Sequence, residues 1–278
     1  MPPIVKSATQ AGEYKGIKVI KVAGHDTQCA VCAMPANPDK TPAFLSCGTW
    51  SLIGCENDEP ILNEKSMNDE LSNELGANGK INYLKNISGL WLIQEIRRNF
   101  KSEGKEYSYN DMEQLARGAK ALNFSLTLTT QVLPHRAICL KKFVLFAKKQ
   151  VKASPKATVQ MIRCIYESLA MKYRFAIEQI EENTEKKFDV LHLLGGGTKD
   201  GFLCQMTADS LNMDVIAGPT EATALGNIVL QLIALGDIKN VDDGREIIKS
   251  SEKLTTYKSE NAGAFESNYN RFVKILNK

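Results

Sequence analysis

The last third of the chain has the most regular pattern. Residues 188–194 (FDVLHLL) form a continuous apolar run, which is typical of a parallel strand that is covered on both faces. Three consecutive glycines and a threonine follow, and residues 199–211 then show a helical pattern. A second strand over 214–217 and a second helix over 221–235 repeat this order. Because strand–helix–strand units connect parallel strands in a right-handed way, the pattern predicts an α/β fold.

Length and charge limit the classes of protein that remain open. The 278 residues suffice for one large domain or two ordinary ones. The 35 basic and 32 acidic residues give a net charge of +3, too balanced to favour nucleic acid or a membrane surface as a partner. No apolar run approaches the roughly 18 residues of a spanning helix, and the N-terminus lacks the apolar core of a signal peptide. We therefore expect a cytoplasmic protein.

The cysteines do not suggest a disulfide or metal framework. Seven cysteines is an odd number, spread over a long chain. Cys29 and Cys32 form a C-x-x-C pair, but no second pair at metal-ligand spacing accompanies it. We expect both to pack on one helix face as small apolar residues.

The first two thirds of the chain are less regular. The sequence predicts a buried strand over 18–23 and a hairpin over 43–55 that turns at residues 47–49. Helices are predicted over 27–34, 84–100, 109–122 with Asn110 as its cap, and 158–181. Residues 58–79 are polar and predict a surface excursion, whereas 126–156 follow no period and carry many lysines.

The segment Gly24-His25-Asp26-Thr27 places a carboxylate at a predicted strand-to-helix corner. In phosphoryl transfer, an Asp can orient the attacking hydroxyl group and accept its proton. The alternative is that Asp26 only caps the following helix. His25 and Thr27 can hydrogen-bond a polyhydroxylated ligand or can be structural, and the local pattern leaves both possibilities open.

Two glycine segments are candidate phosphate or nucleotide sites. Gly48 and Thr49 lie at the hairpin turn, where successive N–H groups can form an anion-binding nest, although a plain hairpin glycine is the alternative. Gly195, Gly196 and Gly197 lie between a strand and a helix, where missing side chains favour a nucleotide. The chain contains neither G-x-G-x-x-G nor G-x-x-x-x-G-K-[ST], which argues against Rossmann and P-loop sites. G-x-S-x-G is also absent.

Taken together and in order, six segments resemble the C-terminal half of the FGGY carbohydrate kinases. They are Gly24-His25-Asp26-Thr27, Ser46-Cys47-Gly48-Thr49-Trp50-Ser51-Leu52, Lys85-Asn86-Ile87-Ser88-Gly89-Leu90-Trp91-Leu92, Tyr166-Glu167-Ser168-Leu169-Ala170, Gly195-Gly196-Gly197-Thr198 and the segment 218–227 (GPTEATALGN). Each motif alone is weak, but the ordered set extends over nearly the whole chain.

The resemblance implies an actin-like, hexokinase-type ATPase (ribonuclease H-like) lobe, one of the two lobes of a sugar kinase. Residues 1–240 would form the nucleotide-binding lobe, and 241–278 a polar helical tail packed on it. ATP and Mg²⁺ would lie between the two lobes. The sugar would be a ketose of the L-rhamnulose type.

The resemblance also implies roles for individual residues. Asp26 would be the catalytic base. His25, Thr27 and Asn86 would contact the sugar. The nucleotide would be bound by Gly48, Thr49, Gln94, Gly195, Gly196 and Gly197. No residue of this chain is predicted to be a metal ligand.

Three departures from the family pattern qualify the resemblance. The first lobe, with its Asp-x-Gly phosphate loop, is absent, so we expect a chain that is inactive or nearly so alone and that pairs with a separate N-terminal lobe. Asp200 replaces a usual Asn, which would place an acidic group near the nucleotide. Residues 126–156 lack the expected pattern. The alternative function is a non-catalytic ATP-binding module or a vestigial fragment.

Overall fold

A computed structural model describes residues 5–77, 79–102, 104–119 and 158–276. The segment 126–156, for which the sequence predicts no regular element, lies outside these ranges. Within them, none of the helices combines the length and apolarity that crossing a membrane requires.

A seven-stranded mixed sheet forms the centre of the fold, in the order β5-β6-β4-β3-β7-β8-β9. Its strands are β3 (Pro42–Cys47), β4 (Trp50–Asn57), β5 (Ser72–Leu75), β6 (Ile81–Ser88), β7 (Val190–Leu194), β8 (Asp214–Ala217) and β9 (Thr255–Tyr257). The adjacent strands β3, β7 and β8 are parallel to one another, and the other pairs are antiparallel. The predicted parallel unit over 188–235 and the 43–55 hairpin are confirmed.

Helices cover both faces of this sheet. They are α1 (Asp26–Cys32), α2 (Glu64–Asn68), α3 (Trp91–Ser102), α4 (Tyr109–Gly118), α5 (Thr158–Thr184), α6 (Gly201–Leu211), α7 (Ala222–Leu235), α8 (Val241–Ser251) and α9 (Ala262–Leu276). On one face α1, α7 and α8 pack together. On the other face α5 lies against β4 and β6 and contacts α3, α4, α6 and α9. The two apolar faces of the sheet thus form two core clusters.

Helix α5 forms because its sequence carries a long apolar stripe. Ile165, Leu169, Tyr173, Ile177 and Ile180 recur at three- to four-residue spacing and are all buried. This confirms the helix predicted over 158–181.

The helix predicted over 84–100 is wrong in its first part. Residues 81–88 form strand β6, and α3 begins only at Trp91. Strand β6 lies between β4 and β5 and pairs with all eight residues of β4. A Cβ atom added to Gly89 would lie 2.5 Å from the Ser51 Oγ, so the chain approaches β4 closely before it turns into the helix. The spacing of Ile87, Leu90 and Trp91 therefore mimicked a helical period across a strand end.

The strand predicted over 18–23 exists but is not buried. It is β2 (Ile17–Lys21), which pairs only with β1 (Thr9–Tyr14) in a separate two-stranded sheet. This hairpin lies beside α7, and its residues remain largely exposed. Within the described part of the chain its residues stay largely exposed, so the apolar pattern of the strand did not indicate burial.

Two local assignments also differ from the sequence prediction. Ser108 rather than Asn110 caps α4, because its hydroxyl group accepts the Asp111 N–H and Asp111 accepts the Ser108 N–H. The polar segment 58–79 is not only a surface excursion, since it contains α2 and the edge strand β5.

The end of the chain is tied to the same sheet. Strand β9 pairs antiparallel with β8, and α9 packs on α5 and α6. Glu260 and Asn261 donate their N–H groups to the Asp209 carboxylate of α6 at 2.7 and 3.1 Å. These contacts anchor residues 255–276 on the sheet and its helices.

Candidate active site

A cleft of about 840 Å³ opens at the carboxyl ends of β3 and β7. Because these strands are parallel, with Ser46 opposite Leu194, the segments that follow them emerge side by side. Ligands of α/β sheets bind at such an edge, and the volume is in the usual range for ligand sites. Eight of the ten predicted site residues line the cleft: His25, Asp26, Thr27, Gly48, Thr49, Asn86, Gly195 and Gly196.

Asp26 is the first residue of α1, and its carboxylate is 74% exposed. Its Oδ1 accepts the Thr27 N–H at 2.8 Å and lies 3.2 Å from the His25 Nδ1. The N-cap position belongs to His25, whose Nδ1 also accepts the Thr27 N–H, at 3.3 Å. Asp26 is therefore not the cap residue itself. The helix N-terminus favours its negative charge, while the carboxylate still faces the cleft.

The hairpin turn at Gly48 and Thr49 is bonded to the start of α3. The carbonyl groups of Gly48 and Thr49 accept the N–H groups of Leu90 and Trp91, each at 3.2 Å. These bonds satisfy amides that a helix N-terminus would otherwise leave unpaired. The Gly48 N–H donates to the Trp50 carbonyl group at 2.8 Å, so this N–H is not free to bind an anion. The exposed Thr49 hydroxyl group remains as the polar group that lines the cleft.

The glycine run forms the opposite wall. Gly195 has a φ of +84°, which favours glycine, and a Cβ atom there would lie 3.3 Å from the Cys47 carbonyl oxygen. Gly197 lies behind the wall, where a Cβ atom would be 2.4 Å from the Cys47 Sγ. Only Gly196 faces open space. Gly195 and Gly196 therefore present backbone rather than side chains to the cleft. Gly197 is required because it packs against Cys47.

The thiol of Cys47 forms part of the floor beneath this wall. Burial raises its pKa to about 11, so it stays protonated. Tyr173 and Ser51 share a hydrogen bond of 2.7 Å beneath it. The floor is therefore neutral and closely packed, and it supplies shape rather than charge.

Asn86 and Gln94 occupy different positions relative to the cleft. Asn86 is exposed on β6 and lines the cleft. Gln94 on α3 lines a neighbouring pocket of about 430 Å³, together with Arg97, Arg98 and Lys101. Its Nε2 lies 3.5 Å from the Thr49 Oγ1, a long contact that joins the two pockets.

Asp200 does not line the cleft. It caps α6, with its Oδ1 accepting the Leu203 N–H at 3.0 Å, while the Tyr166 hydroxyl group donates to its Oδ2 at 2.5 Å. Burial raises the pKa of Asp200, and these hydrogen bonds oppose that rise. Both carboxylate oxygens therefore serve the packing of α5 against α6.

Several cleft residues were not predicted as site residues. They are Ser46, Cys47, Trp50, Leu52, Glu74, Thr220, Glu221 and Thr223. Thr220, Glu221 and Thr223 belong to a segment that the family resemblance had marked. Glu74 had no such signal, because it lies in a polar stretch whose strand was missed.

A self-contained metal site was not found. Among the described residues, no three His, Cys, Asp or Glu side chains are grouped so that they could hold a metal ion.

Comparison with known proteins assigns the chain to a class. Residues 43–235 match the model of the FGGY family of carbohydrate kinases, C-terminal domain. The chain belongs to this family.

Among curated proteins, the chain is similar to rhamnulokinases. It is 36% identical over 240 residues to the rhamnulokinase of Bacillus subtilis (strain 168), a match that covers 86% of this chain and 49% of that protein. It is 34% identical over 260 residues to the rhamnulokinase of Bacteroides thetaiotaomicron, covering 94% of this chain and 53% of that protein. The chain thus spans about half the length of the curated relatives that it matches.

Solved structures of sugar kinases share the fold. The xylulose kinase from Rhodospirillum rubrum matches with a TM-score of 0.67 at 15% identity, covering 99% of this chain and 57% of that chain. The Plasmodium falciparum glycerol kinase with ADP matches with a TM-score of 0.66 at 15% identity, covering 97% and 55%. The predicted α/β fold of an actin-like ATPase lobe is confirmed.

Proposed function

We propose that this chain is the nucleotide-binding half of an ATP-dependent ketose kinase of the rhamnulokinase type. The observation that carries the proposal is the single cleft in which Asp26, Asn86, Thr49 and the Gly195-Gly196 wall meet. Residues 1–240 form the lobe in this proposal, with residues 241–278 packed on it. Strand β9 and helix α9 support this arrangement, because they extend the sheet and cover its helices.

In this proposal Asp26 is the catalytic base. Its carboxylate is exposed to the cleft and held at the start of α1, where it can accept the proton of a primary hydroxyl group of the sugar. His25, Thr27 and Asn86 surround this position and can hydrogen-bond the other hydroxyl groups. The sugar is therefore oriented by the α1 and β6 side of the cleft.

The glycine side fits a nucleotide. Gly195 and Gly196 carry no side chain that would fill the space, and Gly196 faces open volume. The Thr49 hydroxyl group can donate to a phosphate oxygen, with Gln94 beside it. ATP supplies the phosphoryl group when it is bound, and this chain contributes the wall and the Thr49 hydroxyl group that orient it.

Mg²⁺ is proposed to arrive with the nucleotide. Mg²⁺ is commonly held by one or two carboxylates together with substrate phosphates and water, rather than by an all-protein cage. The described residues of the cleft do not by themselves form a complete ligand set. No step of the reaction is therefore assigned to the metal within this chain.

A separate N-terminal lobe is the proposed partner. Large apolar side chains are exposed near the cleft and on the N-terminal hairpin, among them Trp50, Leu75, Tyr14, Ile17 and Val19. A contiguous exposed apolar patch can mark a surface that binds another protein, and this proposal takes these side chains to be part of one. Trp50 is 55% exposed at the cleft itself, where a closing lobe would cover it.

A coupled kinase assay with L-rhamnulose and ATP tests this function. We expect little turnover by the 278-residue chain alone and restored turnover when a first lobe from a rhamnulokinase is added, because phosphate binding needs groups from both lobes. Robust turnover by the chain alone would contradict the half-enzyme model. Tight ATP binding without turnover under either condition would favour the alternative, a non-catalytic ATP-binding module.

A further inference from the structure

Glu74 lies in the cleft although nothing in the sequence marked it. It occupies the edge strand β5, directly opposite Asn82 of β6. Residues directly opposite each other in a sheet share a face, and so do residues two apart on one strand. Glu74, Asn82 and Asn86 therefore face the α1 side of the sheet, and both Glu74 and Asn86 line the cleft with Asp26.

The Glu74 carboxylate is held by a buried amide network. The Gln28 Nε2 donates to the Glu74 Oε2 at 2.6 Å. The Asn82 Nδ2 donates to the Gln28 Oε1. Gln28 and Asn82 are 3% and 1% exposed, so this network is shielded from water. The Gln28 side chain therefore has a fixed orientation, and it directs its amino group to only one oxygen of Glu74.

The network also connects Glu74 to the proposed base. Gln28 lies on α1 two residues after Asp26, so the strand β5 and the helix that carries Asp26 are joined by one hydrogen bond. No cation in the described part of the chain forms an ion pair with Glu74. Glu74 also lines a neighbouring pocket of about 620 Å³, together with Lys6 and Lys21. Among the described residues, Gln28 donates to its Oε2, whereas its Oε1 accepts no hydrogen bond.

We propose that Glu74 is a further substrate-positioning residue, whose Oε1 accepts a hydrogen bond from a hydroxyl group of the sugar and selects neutral sugars over sugar acids. This inference rests on the proposed kinase function. A hydrogen bond from a hydroxyl group to a carboxylate is stronger than one between neutral groups. A carboxylate on the ligand would instead meet a like charge, which opposes its binding.

The substitution Glu74→Gln tests the role of the charge with little change of shape. Since the Gln28 amino group donates toward residue 74, the new amide must direct its oxygen to Gln28 and its own amino group to the cleft. The variant therefore presents a donor where the wild-type chain presents an acceptor. Glu59→Gln is the matched control, because Glu59 is exposed and outside the cleft.

The measurement is titration calorimetry of the 278-residue chain with L-rhamnulose, D-gluconate and MgATP separately. We expect Glu74→Gln to weaken L-rhamnulose binding by about tenfold or more, as for loss of a hydrogen bond to a charged group. Binding of D-gluconate should not weaken, and MgATP binding should stay within twofold. Glu59→Gln should leave all three within twofold of the wild-type chain.

Several outcomes would overturn the inference. The first is that Glu74→Gln binds L-rhamnulose with an affinity within twofold of wild type. The second is that this variant loses equal affinity for L-rhamnulose and for MgATP. The third is that the wild-type chain does not bind L-rhamnulose. If Glu74→Gln does not fold, Glu74→Asp is the deciding variant, because it keeps the charge but moves the carboxylate oxygens back from the cleft. We expect this variant to bind L-rhamnulose more weakly and still to reject D-gluconate. Unchanged L-rhamnulose binding would overturn the proposed role. Absence of MgATP binding by the wild-type chain would count against the proposed function alone.

Discussion

The two walls of the cleft are built in opposite ways. The wall that carries Asp26 and His25 is exposed, with the two side chains 74% and 56% accessible. The glycine wall rests on the buried Cys47 floor, where a Cβ atom at Gly195 or Gly197 would meet the backbone or sulfur of Cys47, whereas Gly196 faces open space. The first wall has room for ligands and carries charge. The second carries no charge, and it offers open space at Gly196, where a ligand can approach the backbone. Substitutions in the two regions should therefore fail for different reasons.

The packing that supports both walls is expected to be the most sensitive. Gly226 of α7 lies against α1, and a Cβ atom there would be 1.8 Å from the Cys29 carbonyl oxygen. Because backbone cannot yield as a side chain can, Gly226→Ala should lower the free energy of unfolding by about 3 kcal/mol. Urea denaturation measures this loss.

Gly263→Ala is the matched control for that substitution. Gly263 lies in helix α9, and a Cβ atom there would meet nothing within 4 Å. Since alanine favours a helix over glycine by up to about 1 kcal/mol, this variant should be slightly more stable than the wild-type chain. Equal behaviour of the two variants would contradict the close contact between α1 and α7.

The exposed wall should respond in activity rather than in stability. In the presence of a first lobe, Asp26→Asn should lower kcat by about 10²-fold or more, because the amide cannot accept the proton of the attacking hydroxyl group. Its oxygen can still accept the Thr27 N–H, so the free energy of unfolding should change by less than about 0.5 kcal/mol. Asp39→Asn, at an exposed site outside the cleft, is the control. A variant with near-normal kcat would exclude Asp26 as the base.

A smaller effect is expected on the pH dependence of stability, through a histidine in the strand that leads into the glycine wall. His192 on β7 is 1% exposed, and neither ring nitrogen has a hydrogen-bond partner among the described residues. Burial, together with the positive charges of Arg245 and Lys249, lowers the pKa of His192 to about 4. An unfolded histidine titrates near pH 6.5, so between about pH 6.5 and 4 the unfolded chain binds a proton that the folded chain does not. The free energy of unfolding should therefore decrease as the pH is lowered through this window, by roughly 2 kcal/mol at pH 5.

His192→Leu should remove this contribution, because leucine does not titrate and the histidine makes no hydrogen bond to lose. Urea denaturation at pH 7 and pH 5 compares the two chains. The difference between the two pH values should shrink by roughly 2 kcal/mol in the variant. His25→Asn, which removes an exposed histidine and keeps a capping side chain, should retain the wild-type difference. An unchanged pH dependence in His192→Leu would contradict a neutral buried His192.

The sequence predicted the regular part of the fold well. The apolar run at 190–194, the helix at 222–235 and the long helix α5 were all recognisable, because each carries its own apolar period. Strand β6 was missed because Ile87, Leu90 and Trp91 follow a helical spacing across the end of the strand and the start of α3. The exposure of β2 was missed because it depends on where the β1–β2 hairpin lies in the fold and not on the pattern of the strand itself.

Most of the predicted site residues line one cleft, but the sequence did not predict all of the residues that line it. Asp26, Thr49 and the glycines were marked by short segments that carry their own local signal. Glu74 was not marked, because its place in the cleft depends on the pairing of β5 with β6 and on the hydrogen bond from the Gln28 side chain of α1. Gln94 was marked, but its helix directs it to the neighbouring pocket.

The sequence by itself determined which segments become helices and strands in the last third of the chain, and it marked the residues that are candidates for phosphoryl transfer. These properties are local, since periodicity and residue chemistry act within a few positions. Only the tertiary structure decided that Asp26, Glu74 and Gly195 share one cleft and that Asp200 does not line it. Residues so distant along the chain meet because β3 and β7 pair in parallel and end at the same edge of the sheet.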